Sequence, residues 1–205
     1  MLKKHYNKET KTLHISYGFN EELKDIPKET EIILFSYSSN FTQSVDNLPE
    51  NLTHLTFGYW FNQSVDNLPL SLTHLTFGCC FNQLVDNLPK TLTHLTFGYM
   101  FNQSVDNLPE KLTHLIFNVR FNQSIDNLPK KIKELTLICN HKSINNLPDN
   151  IEKLHIYFSN RHSQNKNIQN LPITLKEIII EKEEYKKYLI KIPFDTVIII
   201  KKIEK

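Results

Sequence analysis

A histidine recurs at a fixed interval through the middle of the 205-residue chain, at His54, His74, His94 and His114, each within the triplet Thr-His-Leu. Imidazoles at a fixed spacing suggest three chemistries: metal ligation, proton transfer and response to pH. Each of these histidines comes one residue before a leucine. On a strand with the leucine inward, the four rings project outward as a column beside Thr56, Thr76 and Thr96. Neighbouring imidazoles at strand spacing can share a metal about 2.0–2.1 Å from each nitrogen. The column has no acidic or thiol partners and belongs to an open sheet rather than a pocket. A hydrogen-bonded Thr/His surface ladder is therefore the first expectation, with a metal-binding or structural array as the alternative. Protonation near pH 6 would stack like charges, so the column should weaken the fold in acid.

Nucleophilic catalysis finds less support. Ser, Asp and His recur in every unit but on different faces, and a feature copied four times reads as scaffold. The one asymmetric nucleophile candidate is Cys79-Cys80, with His74 or His94 nearby. Nucleotide-loop, zinc-protease and calcium-loop patterns are all missing, and four glycines cannot assemble a phosphate cradle. The expectation is a protein with no catalytic residue, no cofactor and no resident metal. The balance of 24 basic against 22 acidic side chains argues against a nucleic-acid or membrane-surface partner. Residues 1–12 are hydrophilic and no apolar run reaches membrane-spanning length. Three cysteines without a pairing pattern read as reduced thiols of an intracellular, cytoplasmic protein, and the N-x-S/T triplets as by-products of the repeat.

The positioning elements follow from the prolines. All nine occupy one repeat position, preceded by Leu or Ile, and Pro49, Pro69, Pro89, Pro109 and Pro129 are evenly spaced. A fixed period of about 20 residues specifies a solenoid. In residues 61–80 the apolar positions are Phe61, Val65, Leu68, Leu72, Leu75 and Phe77. Only Leu75-Thr76-Phe77 alternates as a strand, and the remaining spacing suits a tight coil that turns one large side chain inward at each corner. Asp66-Asn67 before Leu68-Pro69 supplies a turn, and the proline lies outside the strand ladder. Stacking brings Phe61, Phe81, Phe101 and Phe121 into one aromatic spine and Phe57, Phe77, Phe97 and Phe117 into a second, about 4.8 Å apart. Asn62, Asn82, Asn102 and Asn122 are expected as inward groups serving backbone at the bend.

The expected fold is mainly β: a right-handed solenoid of about nine coils, each of about 20 residues, with one parallel sheet on the concave face and little or no regular helix. One domain spans 1–205, with a polar N-terminal cap over 1–12, repeats over 13–180, and a charged terminal coil and C-terminal cap over 181–205. One unit is a residue short, and a longer one carries its insertion near Ser159–Asn165.

Differences among the near-identical copies gather at two places. The pair after proline (Glu50-Asn51, Leu70-Ser71, Lys90-Thr91, Glu110-Lys111) reads as tolerant turn. The pair after the strand (Tyr59-Trp60, Cys79-Cys80, Tyr99-Met100, Val119-Arg120) has the residue types of interface hot spots. It is either corner packing or a binding edge. As an edge, it is anchored by Tyr59 and Trp60 and continued by Tyr99, Met100 and Arg120, with the histidine column His54, His74, His94 and His114 as a second candidate surface.

The words Phe-Asn-Gln, Leu-Pro and Leu-Thr-His-Leu-Thr-Phe-Gly, in that order and period, resemble the FNIP repeat, a leucine-rich-repeat relative of social amoebae and of giant viruses that infect amoebae. The resemblance implies a curved leucine-rich-repeat-like solenoid acting as a protein-interaction module, with a host-cell protein as partner if the chain is viral. Viral members often carry an F-box ahead of the repeats. Here the repeat frame is already running at Leu13-His14-Ile15 and Phe19, which leaves no room for one. Substrate recognition for ubiquitin ligation without its own F-box is the alternative function.

Overall fold

Short alternating segments of one large inward side chain between two polar outward ones build the sheet. The computed structural model describes residues 5–138, 141, 144–158 and 167–201. Eleven strands lie in chain order in one sheet. They are β1 (Tyr6–Asn7), β2 (Thr12–Ile15), β3 (Ile32–Phe35), β4 (His54–Thr56), β5 (His74–Thr76), β6 (His94–Thr96), β7 (His114–Ile116), β8 (Glu134–Ile138), β9 (Lys153–Tyr157), β10 (Glu177–Ile180) and β11 (Val197–Ile200). Each strand from β2 to β11 pairs in parallel with the next, so the described residues form a β-solenoid of about nine turns with almost no helix among them. One 3₁₀ helix, Glu183–Tyr188, lies in the last coil with Tyr185 buried.

At the N-terminal end of the described residues, β1 runs antiparallel to β2, with Tyr6 opposite Leu13 and Asn7 opposite Thr12. A parallel neighbour needs a full crossover coil. The short link from Asn7 to Thr12 permits only a hairpin, with Lys11 at φ 49° completing the turn.

The six apolar positions of the repeat are all inside: Phe61, Val65, Leu68, Leu72, Leu75 and Phe77 are each buried, as are their counterparts in neighbouring coils. Fully burying each such side chain contributes roughly 1.5–3 kcal/mol, and no single coil could cover its own six. Phe57 stacks on Phe61 at 3.7 Å and Phe77 on Phe81 at 3.7 Å, which joins the two predicted spines into one double column.

The spacing between coils is not uniform. Equivalent rings repeat at 4.0–4.1 Å along the histidines, 5.5–5.7 Å along the Phe57–Phe117 column and 6.0–6.3 Å along the Phe41–Phe121 column. Equivalent points in a stack are separated by the local step of the stack. Coils that sit closer together at the outer sheet surface than at the opposite corner bend the array toward the sheet. That places the histidines on the concave side, with the strand spacing of about 4.8 Å in between.

The short unit keeps the spine going with a different ring. His141 is buried and stacks on Phe121 at 5.5 Å with planes 5° apart, and its Nε2 lies 3.0 Å from the Gln123 carbonyl. The insertion expected near Ser159–Asn165, together with Cys139, lies outside the described residues.

Candidate functional site

The concave face is made by three-residue strands that send His and Thr outward around a buried Leu. His54, His74, His94 and His114 stand in register, with ring planes 12–13° apart. The Thr53 hydroxyl lies 3.0 Å from the Glu31 carbonyl and 2.8 Å from His54 Nδ1. Thr73, Thr93 and Thr113 repeat the arrangement with the carbonyl of the preceding coil. A carbonyl only accepts and a hydroxyl has one proton. The network therefore assigns the ring proton to Nδ1, donating to threonine, and leaves Nε2 of His54, His74 and His94 as a lone pair on the surface, whereas His114 Nε2 faces the Glu134 carboxylate. Burial, and then the neighbouring rings, hold His74 below its ordinary value and push His94 down to about 4. Stacked rings have parallel lone pairs rather than convergent ones. Among the described residues no group of three or more His, Cys, Asp or Glu is arranged to hold a metal ion.

Beyond His114 the same column turns into charge. Glu134 lies 3.4 Å from His114 Nε2 and 3.3 Å from Lys153, and Lys153 lies 3.9 Å from Glu177. Next to it, Glu152 sits between Lys133 and Lys176, whose hydrogen bonds hold its carboxyl down at about 2.

One flank of the sheet carries the variable edge. Gly58, Gly78 and Gly98 form the corner after the strand, where the coils approach too closely for any side chain. A Cβ on Gly78 would lie 1.9 Å from the Gly58 carbonyl oxygen, and one on Gly98 1.9 Å from that of Gly78. Their φ angles are not positive, so close approach rather than backbone freedom requires glycine. The missing side chains leave a trough of about 660 Å³ between the threonine column and a tyrosine column, flanked by Thr76, Thr96, Tyr37, Tyr59 and Tyr99. Asn118 stands in the fourth corner position and lines the far end.

The residues of the variable pair lie along this edge. Trp60 is 55% exposed, and Tyr99 and Met100 are 37% and 38% exposed. Tyr59 packs on Trp60 at 5.0 Å, and the Arg120 guanidinium sits 5.2 Å from the Tyr99 ring centre. Tyr37, 81% exposed and 6.3 Å from the Tyr59 ring, extends the edge by one coil. Its signal was in the sequence: it follows Phe35 at the distance at which Tyr59 follows Phe57, although its coil lacks the glycine. The histidines are on the sheet face and the Tyr/Trp edge beside it; the tyrosines line the trough, and the threonine column stands between it and the histidines. Cys79 and Cys80 are free and partly exposed on the same edge, and His74 and His94 lie on the strand face, the other side of the glycine corner.

The expected inward asparagines are the exception. Asn62, Asn82 and Asn102 lie outside the core, and each Oδ1 accepts the backbone N–H of the asparagine one coil on, at 2.8 Å. They serve the backbone as anticipated, but from outside, because the phenylalanines fill the corner. In the pair after proline, Ser71 and Thr91 donate to the carbonyls of Leu52 and Leu72 at 2.7 Å, while Lys90 is exposed.

Among known proteins, the FNIP Repeat family matches residues 41–80 and 101–140. The fold is similar to that of CroV588, a giant-virus protein described as a novel circular LRR protein, with a TM-score of 0.62 and 31% identity over 87% of this chain. The chain spans about a third of that protein's length, 34%. A search of curated proteins returns no match.

Proposed function

We propose, for a chain that is an FNIP-repeat protein and folds as a leucine-rich-repeat-like solenoid, that its function is to hold a protein partner against the edge where the concave sheet meets the Tyr/Trp column. Leucine-rich-repeat-like arrays are generally non-enzymatic scaffolds, and this one works by shape and surface display. The observation that carries the reading is the exposure of Trp60, Tyr99 and Met100 beside a preformed trough. Corner packing would have buried these side chains. Aromatic anchors on a rigid backbone lose little entropy on binding. Tyr59 and Trp60 anchor the surface, Tyr99, Met100 and Arg120 continue it, the Nε2 atoms of His54, His74 and His94 offer hydrogen-bond acceptors along its sheet side, and His114 with Glu134 closes that side with charge. If the chain is viral, the partner is a protein of the infected cell. No helix among the described residues is long and apolar enough to cross a membrane.

The test is affinity capture from amoeba lysate with the parent and with a Tyr59→Ala/Trp60→Ala variant. Partner recovery should fall at least about tenfold, as expected for loss of hot-spot residues, with an unchanged circular dichroism spectrum. Undiminished capture by a folded variant rejects the site. Co-recovery of ubiquitin-ligase subunits with the partner would identify the scaffold as a substrate-recognition component.

A further inference from the structure

The whole chain has three cysteines and two methionines, and three of those five sulfur-bearing residues, Cys79, Cys80 and Met100, meet at one corner of two successive coils. The backbone fixes their adjacency. The Cys80 N–H donates to the Tyr59 carbonyl and the Met100 N–H to the Cys79 carbonyl, both at 2.9 Å, so Met100 stands one rung beyond the cysteine pair. Both thiols are free and partly exposed, and Met100 is 38% exposed. Cys79 and Cys80 are consecutive in the chain, and Cys79 lines the trough with Tyr59 and Tyr99.

We propose that Cys79, Cys80 and Met100 form a binding site for a soft monovalent metal ion of the copper(I) class. Two thiolates and a thioether are the donor set that such an ion prefers, and it is satisfied by two or three ligands. Zinc fits poorly, since its protein ligands are thiolate, imidazole and carboxylate, and this corner supplies two thiolates beside a thioether. A disulfide between the two neighbours does not readily remove the donors. Adjacent Cα atoms on a trans peptide are about 3.8 Å apart, short of the roughly 4.4 Å minimum of an ordinary disulfide. Binding displaces both thiol protons, and no electron is transferred. Protons compete with the ion for both thiolates, so occupancy falls as the pH is lowered. The other columns of the array are repeated from coil to coil, whereas this cluster occurs once, where the copies diverge.

The site shares Met100 with the proposed partner surface, and it is tested without a partner. The full chain is titrated anaerobically with copper(I) against a chromophoric copper(I) chelator. One equivalent should bind. Affinity should fall roughly a hundredfold in Cys79→Ser/Cys80→Ser and about tenfold in Met100→Leu, as losing thiolate and thioether donors requires. His74→Gln/His94→Gln should bind like the parent. Equal affinity in the double-serine variant, with its melting temperature unchanged, overturns the proposal, as does a loss confined to the histidine variant. Unchanged affinity in Met100→Leu overturns the three-sulfur site.

Discussion

The concave-face histidines His74 and His94 are held neutral by their surroundings. Burial and neighbouring rings about 4 Å away lower both, the latter to about 4. An unfolded imidazole titrates near 6.5, so between about pH 6.5 and 4 the unfolded chain binds more protons. The stability these histidines contribute is complete above about pH 6.5 and is lost as the pH falls toward 4. A variant with all four column histidines changed to Gln should therefore lose less melting temperature than the parent over that window. Parallel curves would reject the ladder as an acid-sensitive element. Glycine gives a second prediction at this scale. Gly78→Ala should cost about 3 kcal/mol or more, because its Cβ lands on a backbone oxygen that cannot move without shifting the next coil. Gly18→Ala, with nothing within 4 Å, should be nearly neutral in denaturant melts. The histidine column and its outward direction were legible from Thr-His-Leu alone. The ring proton on Nδ1 was not, because it depends on a threonine bonding the coil before.

At the scale of the coil, strands of three residues provide little ladder, and side chains supplement it. Asn82 accepts the Asn102 N–H at 2.8 Å, Gln103 donates to the Asn82 carbonyl at 3.1 Å, and Asn87 donates to Asp66 at 3.1 Å. Removing the first of these in Asn82→Ala should destabilise by about 1 kcal/mol, read from chemical unfolding. A neutral result would mean that water replaces the amide at no cost. The period, the turn at Asp66-Asn67 and the inward set were readable because each is a local property of one copy. The outward placement of Asn62, Asn82 and Asn102 was not, since the corner has room for either Phe or Asn and the fully buried phenylalanines occupy it. His141 was missed for a related reason. The shortened unit disguises its alignment with Phe121, and only stacking at 5.5 Å reveals the match.

For the whole array, stability is close to a sum of coils and coil-to-coil interfaces. Deleting residues 81–100 joins two matching ends and should leave a folded solenoid with a lower unfolding midpoint. Deleting 81–90 instead leaves a half coil too short to return to the sheet, without Phe81, Val85 and Leu88, and should not fold cooperatively. Similar unfolding curves for the two deletions would contradict the stacked-coil architecture. The bend of the array also belongs to this scale. The histidine rings step by 4.0–4.1 Å per coil and the Phe41–Phe121 rings by 6.0–6.3 Å. That inequality, carried through successive repeats, makes the sheet face concave.

Repetition by itself determined the solenoid, its inward residues and the columns on its surface, because a side chain copied at a constant interval must stack on its own image. The unequal step from coil to coil, the glycine trough and the antiparallel first hairpin were decided only in three dimensions. The first two depend on how closely one coil can approach the next, a distance set by all the packed rings and carbonyls together, and the hairpin on the short link from Asn7 to Thr12.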